Sequence, residues 1–362
     1  MTLIIAEAGV NHNGREKLAF ELVDAAFSAG ADIVKFQTFK AKNLVTHEAK
    51  QADYQATNTQ KIESQLSMLS RLELSFDAHQ RLLQHCNQLG IEFLSTAFDV
   101  ESLRFLVDDL GLKRLKIPSG ELTNAPLVLE HARTGCELIV STGMATLSEV
   151  EAALGVIAFG LTSTKEDEPS EEAFAKAYSS NQGQVALRER VTLLHCTTEY
   201  PAPVDEINLR AMDTLATAFN LPAGYSDHSE GIVVPIAAVA RGARLIEKHF
   251  TLDKTMDGPD HRASIEPDEL ADMVRAIRLT ERALGNPLKV TTVSEFKNKA
   301  VARKSLVAAI PIMKGEIFTE ENISVKRPGT GMSPYKYWGL LNRTAQYDYS
   351  IGDLLSEKSG KN

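Results

Sequence analysis

Cysteine, long apolar runs and clustered basic residues are all scarce in this sequence, and each shortage removes a class of protein. Cys86, Cys136 and Cys196 are an odd number without CxxC or zinc-finger spacing. They suit reduced, separately buried thiols rather than a disulfide framework. No stretch approaches the roughly 20 apolar residues of a membrane-spanning helix. The start, MTLIIAEAGVNHNG, lacks the basic residues and cleavage site of a signal peptide, so a cytoplasmic protein without a membrane partner is expected. With a formal net charge of -9, a pI near 5.6 and no basic run, nucleic acid is not an expected partner. No GxGxxG follows a strand-like run, which takes away the main support for dinucleotide binding.

What the sequence does contain is a regular alternation. Eight short apolar runs (LIIAEAG, DIVKFQT, IEFLST, RLKIPS, ELIVST, VTLLHCT, PAGYSD and RLIEKHF) are separated by segments of helical period up to about residue 285. Runs apolar on both faces suit parallel strands covered by helices. Eight such units match a closed (β/α)8 TIM barrel better than an open doubly wound sheet. Residues 1–285 are therefore expected to form the barrel, 286–302 a linker, and 303–362 a small β-rich domain built from KSLVAAI and ISVKRPGTG. Two stretches break the rhythm. The polar, Gln-rich segment 39–75 follows the second strand, on the face where barrels place active sites, and is expected to cover a substrate. Segment 161–188 reads as a solvated surface insertion.

Barrel enzymes draw their chemistry from the C-terminal ends of the strands. Here those positions are Glu7, Lys35, Gln37, Thr96, Lys116, Ser119, Glu121, Ser141, His195, Thr198, Tyr200, Asp227, His228 and His249. His228 and His249 end neighbouring strands, so their imidazoles could share a Lewis-acid metal such as Mn²⁺. On spacing alone the structural alternative, one hydrogen-bonded and one packed histidine, is the commoner outcome. Asp260 in MDGPDH could hold a water on that metal, or serve as a turn residue. Lys35 and Lys116 end apolar strands, where a buried ammonium needs an anion. With Ser119 in PSGE and Ser141 in STGM they describe a phosphate cradle; snorkelling lysines and turn serines are the structural alternative. Glu7 is either paired to a lysine or held for acid–base work, and Glu121 could pair with Lys116 or Lys35. His12, in NHNG, is expected to help cap the first helix. A Schiff-base lysine is the mechanistic rival, which a metal-polarised aldehyde makes unnecessary.

The segments IAEAGVNHNG, VKFQTF, FLSTAFD, KIPSGE, STGMATL, HCTTEYPAP, GYSDHSEG, EKHFTLD, GPDH, ARKSL and VKRPGTG, in this order, resemble the sialic acid synthases. That family joins a barrel to an antifreeze-like (SAF, β-clip) domain. The resemblance implies a condensation of phosphoenolpyruvate with an N-acylated amino-sugar aldehyde, giving a nonulosonic acid and phosphate. It implies that His228 and His249 bind Mn²⁺, or Mg²⁺ or Co²⁺, with Asp260 holding a water on the ion. Lys35, Lys116, Ser119, Ser141 and Tyr200, with Thr96 nearby, would line the phosphoenolpyruvate site. Glu7 would lie close to the reacting sugar, with Gln37 also on the sugar side. Arg327 would reach the sugar's N-acyl group across a domain-swapped homodimer.

One departure bears on substrate. Many N-acetylneuraminate synthases have Asn two places before the tyrosine of the HCT motif, where this chain has Thr198. With KFQTFKAKNLVT and GPDHRASIEPDEL, this looks more like the legionaminic acid branch, whose sugar is 2,4-diacetamido-2,4,6-trideoxymannose. N-acetylneuraminate and pseudaminic acid synthases are the alternatives within the family. A carbohydrate-binding protein with an inactive barrel is the alternative of a different class.

Overall fold

The computed structural model describes residues 1–59 and 63–356. Eight parallel strands close into a barrel: β1 (Leu3–Gly9), β2 (Ile33–Thr38), β3 (Glu92–Ala97), β4 (Arg114–Ile117), β5 (Glu137–Ser141), β6 (Val191–His195), β7 (Ala223–Asp227) and β8 (Leu245–His249). Each overlaps one of the apolar runs. Closure comes from β1 lying parallel to β8, from Leu3 opposite Leu245 to Glu7 opposite His249.

The lumen explains where the site must be. Alternate residues of a strand point to the same face, so the inside of the barrel is built in layers two residues apart. Ile5, Ile33, Leu94, Ile139, Leu194 and Leu245 form one buried apolar layer. Two residues further along each strand stand Glu7, Lys35, Thr96, Ser141, Cys196 and Glu247, a polar layer at the mouth. Gly224 of β7 leaves room for this packing, because a Cβ there would fall 2.4 Å from the Leu245 carbonyl oxygen. The larger core lies outside, between strands and helices, where residues such as Leu22, Leu82, Leu106, Val128 and Ile277 are buried.

The covering helices follow local signals. Helix Phe76–Leu89 is capped by Ser75, whose side chain accepts the Ala78 N–H, and ends at Gly90 with φ of 82°. Helix Leu147–Thr162 starts in a capping box between Thr146 and Glu149. The expectation of a solvated insertion at 161–188 needs correction. Helices Glu171–Ser179 and Asn181–Arg190 stand there, and Phe174 packs edge-on against Phe159 at 5.3 Å between ring centroids. One face is solvated, but the segment belongs to the helical layer.

Segment 39–75 holds short helices at Ala41–Leu44, Asp53–Thr59 and Gln65–Leu72. The second compact unit, Asn286–Asn362, contains an antiparallel pair, β9 (Ser305–Ala308) and β10 (Ile323–Lys326). Its own core includes Leu306, Ile312, Phe318, Ala345 and Leu355. Residues 286–302, read as a linker, include helix Val293–Ala302, started by a Thr292–Glu295 capping box. Among the described residues no helix is long and apolar enough to cross a membrane.

Candidate active site

A cavity of about 320 Å³ opens at the C-terminal ends of the strands. It is lined by Glu7, Lys35, Gln37, Thr96, Lys116, Ser119, Glu121, Ser141, Thr198, Tyr200, His228, His249 and Asp260. The period-two layering brings residues from all eight strands or their loops to one rim.

Its floor is a buried charge network centred on Glu247, which the strand-end filter missed. Lys116 Nζ donates to both Glu247 oxygens, at 2.8 and 3.1 Å, and Ser226 Oγ donates at 2.7 Å. Lys35 Nζ lies 3.5 Å from Glu247 and 2.6 Å from Glu7 Oε2, and donates to Thr96 Oγ1 at 3.2 Å. The anions expected beside the lysines are thus these two glutamates. Burial would raise the Glu247 carboxyl, but Lys116 and Lys35 outweigh it and hold the group well below the usual carboxylate range. Glu7 goes the other way: desolvation outweighs Lys35, and Glu247 adds to it, pushing the group up to about 7. Lys35, despite burial, is raised by its two carboxylates and stays charged. Lys35 Nζ and Glu7 Oε2 form a buried ion pair. The floor therefore contains one firmly ionised carboxylate and one that changes protonation near neutral pH.

Beside it, the His228 and His249 rings stand 5.5 Å apart between centroids, with Tyr200 4.1 Å from His228. His228 Nδ1 donates to the Thr197 carbonyl at 2.6 Å, which leaves Nε2 as the acceptor nitrogen. His249 Nδ1 is buried with no hydrogen-bond partner. Desolvation lowers His228 to about 4, and lowers His249 well below its ordinary value with help from His228. Two neutral imidazoles with free lone pairs are the form a divalent ion requires, so the pair fits such an ion. Among the described residues no three His, Cys, Asp or Glu side chains converge as a ready-made cage, so protein ligation would rest on these two. Asp260, raised to about 6 by burial, lines the same cavity.

The opposite wall is built from hydroxyls. Ser119 Oγ accepts the Gly143 N–H at 3.0 Å and lies 3.2 Å from Cys196 Sγ. Gly143 is needed there, since a Cβ would fall 2.3 Å from Thr198 Oγ1. Ser141 Oγ and Thr198 Oγ1 are buried without partners. Buried polar atoms in native proteins are almost always paired. Three that are not, on Ser141, Thr198 and His249, share this one cavity, which marks it as a place where a polar ligand completes the bonding.

Several strand-end residues point elsewhere. Asp227 faces outward, taking Lys248 Nζ at 2.6 Å and the Ser229 hydroxyl at 2.7 Å. His195 hydrogen-bonds the Ile207 carbonyl at 2.7 Å. Glu121 pairs with neither lysine: it accepts from Asn124 Nδ2 at 2.7 Å, because Glu7 and Glu247 already hold the ammonium groups. His12 accepts the Gly14 N–H within its own loop at 3.0 Å and does not cap helix Glu16–Ser28, whose N-cap is Arg15. Arg327 belongs to the second unit, where its Nε donates to the Ala302 carbonyl at 3.1 Å.

A closed parallel barrel whose mouth sets a cationic, hydroxyl-rich wall beside two neutral imidazoles defines an enzyme that handles an anion next to a polarisable carbonyl. The chain belongs to the NeuB family of sialic acid synthases: it matches that family over residues 22–289 and the SAF domain over residues 303–358. It is 49% identical to the N,N'-diacetyllegionaminic acid synthase of Campylobacter jejuni, over 98% of this chain and 99% of that one. Identity to the enzyme of the same name from Legionella pneumophila is 44%, over 97% and 92%. The crystal structure of N-acetylneuraminic acid synthetase from Leptospira borgpetersenii, in complex with citrate, is similar with a TM-score of 0.65 and 32% identity, covering 82% of this chain and 90% of that one.

Proposed function

We propose that this chain is an N,N'-diacetyllegionaminic acid synthase, joining phosphoenolpyruvate to 2,4-diacetamido-2,4,6-trideoxymannose and releasing inorganic phosphate. The sugar assignment rests on the end-to-end similarity to synthases of that name. The convergence of three orphaned polar atoms on a lysine-floored cavity supports the site.

In this reading Lys35 and Lys116 attract the phosphate and carboxylate of phosphoenolpyruvate, and the hydroxyls of Ser119, Ser141 and Thr198 orient it. Thr96 fixes the Lys35 ammonium, Tyr200 lines the phosphoenolpyruvate side, and Gln37 bounds the space left for the sugar. His228 and His249 would hold a divalent ion, Mn²⁺ in our proposal with Mg²⁺ or Co²⁺ as alternatives, which supplies Lewis-acid polarisation of the sugar aldehyde. The methylene carbon of phosphoenolpyruvate bonds to the aldehyde carbon. Water adds at the neighbouring carbon, and phosphate departs with the bridging oxygen. Glu7, poised near neutrality, holds the proton that the aldehyde oxygen gains, with Asp260 as the second group available for proton transfer. The chain would work in the cytoplasm as a domain-swapped homodimer, with Arg327 placed on the sugar held by the other copy.

The test is phosphate release from phosphoenolpyruvate and Mn²⁺ with each candidate sugar. The diacetamido sugar is expected to turn over fastest. Turnover of N-acetylmannosamine alone would move the assignment to N-acetylneuraminate, and no release with any sugar would favour a carbohydrate-binding role.

A further inference from the structure

The cavity has a charged floor but an apolar roof, and the roof comes from segment 39–75. In helix Gln65–Leu72 the residues Gln65, Met68, Leu69 and Leu72, spaced i, i+3, i+4 and i+7, all line the cavity. A surface helix normally turns such a stripe onto its domain core. Here Met68 and Leu72 form a small cluster with Val10 and Phe39, separate from the barrel core, and Leu44 packs against it. The roof is also fastened in place: Asn58 Nδ2 donates to the Pro259 carbonyl at 2.7 Å, and the Ala41 N–H donates to Glu73 Oε1 at 2.6 Å.

We propose that this apolar roof, chiefly Leu69 and Leu44, selects the sugar by receiving its methyl-bearing end and turning away a hydroxymethyl end. The inference rests on the proposed function and adds the means of discrimination. Below the reacting groups the lumen is filled by the Ile5–Leu245 layer, so sugar carbons beyond the aldehyde run toward the mouth, where the roof stands. 2,4-Diacetamido-2,4,6-trideoxymannose carries three methyl groups, two on the acetamido substituents and one at C6. N-acetylmannosamine has one methyl and a hydroxyl at C6. A hydroxyl pressed against leucine loses its water without gaining a partner. Gln65, at the head of the stripe, supplies an amide for an acetamido group.

The experiment compares kcat/KM for the diacetamido-6-deoxy sugar with that for its 6-hydroxy counterpart, in the full-length protein and in Leu69→Gln and Leu44→Gln. A hydrophobic pocket rejects an added hydroxyl by on the order of 10- to 100-fold, so the unaltered protein should prefer the 6-deoxy sugar by such a factor. Each substitution should cut that preference about tenfold, with the KM for phosphoenolpyruvate unmoved and the melting temperature recorded for both proteins. A preference unchanged in both variants overturns the inference while leaving the proposed function intact. So does a parallel loss on both sugars in variants that melt like the parent. A parent protein that turns over neither diacetamido sugar sinks the proposed function, and the inference with it.

Discussion

On β4, Arg114 and Lys116 are two residues apart on the same face of one strand, yet their surroundings differ completely. Arg114, at the bottom of the barrel, reaches Glu92 at 2.5 Å and Glu137 at 3.0 Å in a partly solvated cluster where each charge has its partner. Lys116, at the mouth, is buried with Glu247, and around that pair stand a carboxylate that resists ionisation and hydroxyls without partners. On β3 and β5 the apolar Leu94 and Ile139 stand between Glu92 and Glu137 at the bottom and Thr96 and Ser141 at the mouth, so the barrel has an end that holds it together and an end that is left electrostatically incomplete. Incompleteness is what binding a charged substrate requires, and it costs stability where it occurs.

This contrast can be broken at either end. His228→Ala, at the mouth, should remove several kcal/mol of carbonyl activation, a loss on the order of 10³ in turnover. Isothermal titration with Mn²⁺ should show the binding lost while the melting temperature is kept. Glu247→Ala should leave two buried ammonium groups uncompensated and cost about 3–5 kcal/mol in chemical denaturation, with activity lost as well. If that variant is as stable as the parent, the floor is more hydrated than its burial implies.

His131, buried in helix Ala125–Arg133 away from both clusters, supplies a pH baseline. Desolvation lowers it from 6.5 to about 4. Between those values the unfolded chain binds the proton and the folded chain does not, so its stability contribution is present above pH 6.5 and is lost as the pH falls toward 4. The swing is about 3 kcal/mol. Urea denaturation across that range should show it together with the shares of the other buried histidines, and His131→Leu should remove the His131 share while leaving the rest. The smallest effect belongs to the bottom of the barrel: Arg114→Ala should cost no more than about 1 kcal/mol and leave turnover unchanged.

The barrel was legible because parallel strands buried on both faces leave unbroken apolar runs, and the strand-end rule then found Lys35, Lys116, His228 and His249 without any contact information. It failed at Glu247 because that residue lies inside β8, two positions before the strand's end. Alternation held the missing signal: stepping back two residues from His249 gives Glu247, as stepping back from Gln37 gives Lys35. Asp227 and His195 were over-read, since a strand end marks height in the barrel but not the face. The helices at 171–190 escaped notice because their composition is polar and their apolar contact is mainly one residue, Phe174. The role proposed for Arg327 is beyond any local pattern, since nothing near it in sequence carries the site.

The pairing of Glu7 with His249 joins positions from opposite ends of the barrel sequence. A ribosome emits Lys35 and Lys116 long before Glu247, the carboxylate that reaches both. Without β8 those ammonium groups would lie buried beside no Glu247 carboxylate, which is costly. The last strand thus shuts the sheet, delivers the counter-charge and installs the second imidazole through one set of long-range contacts.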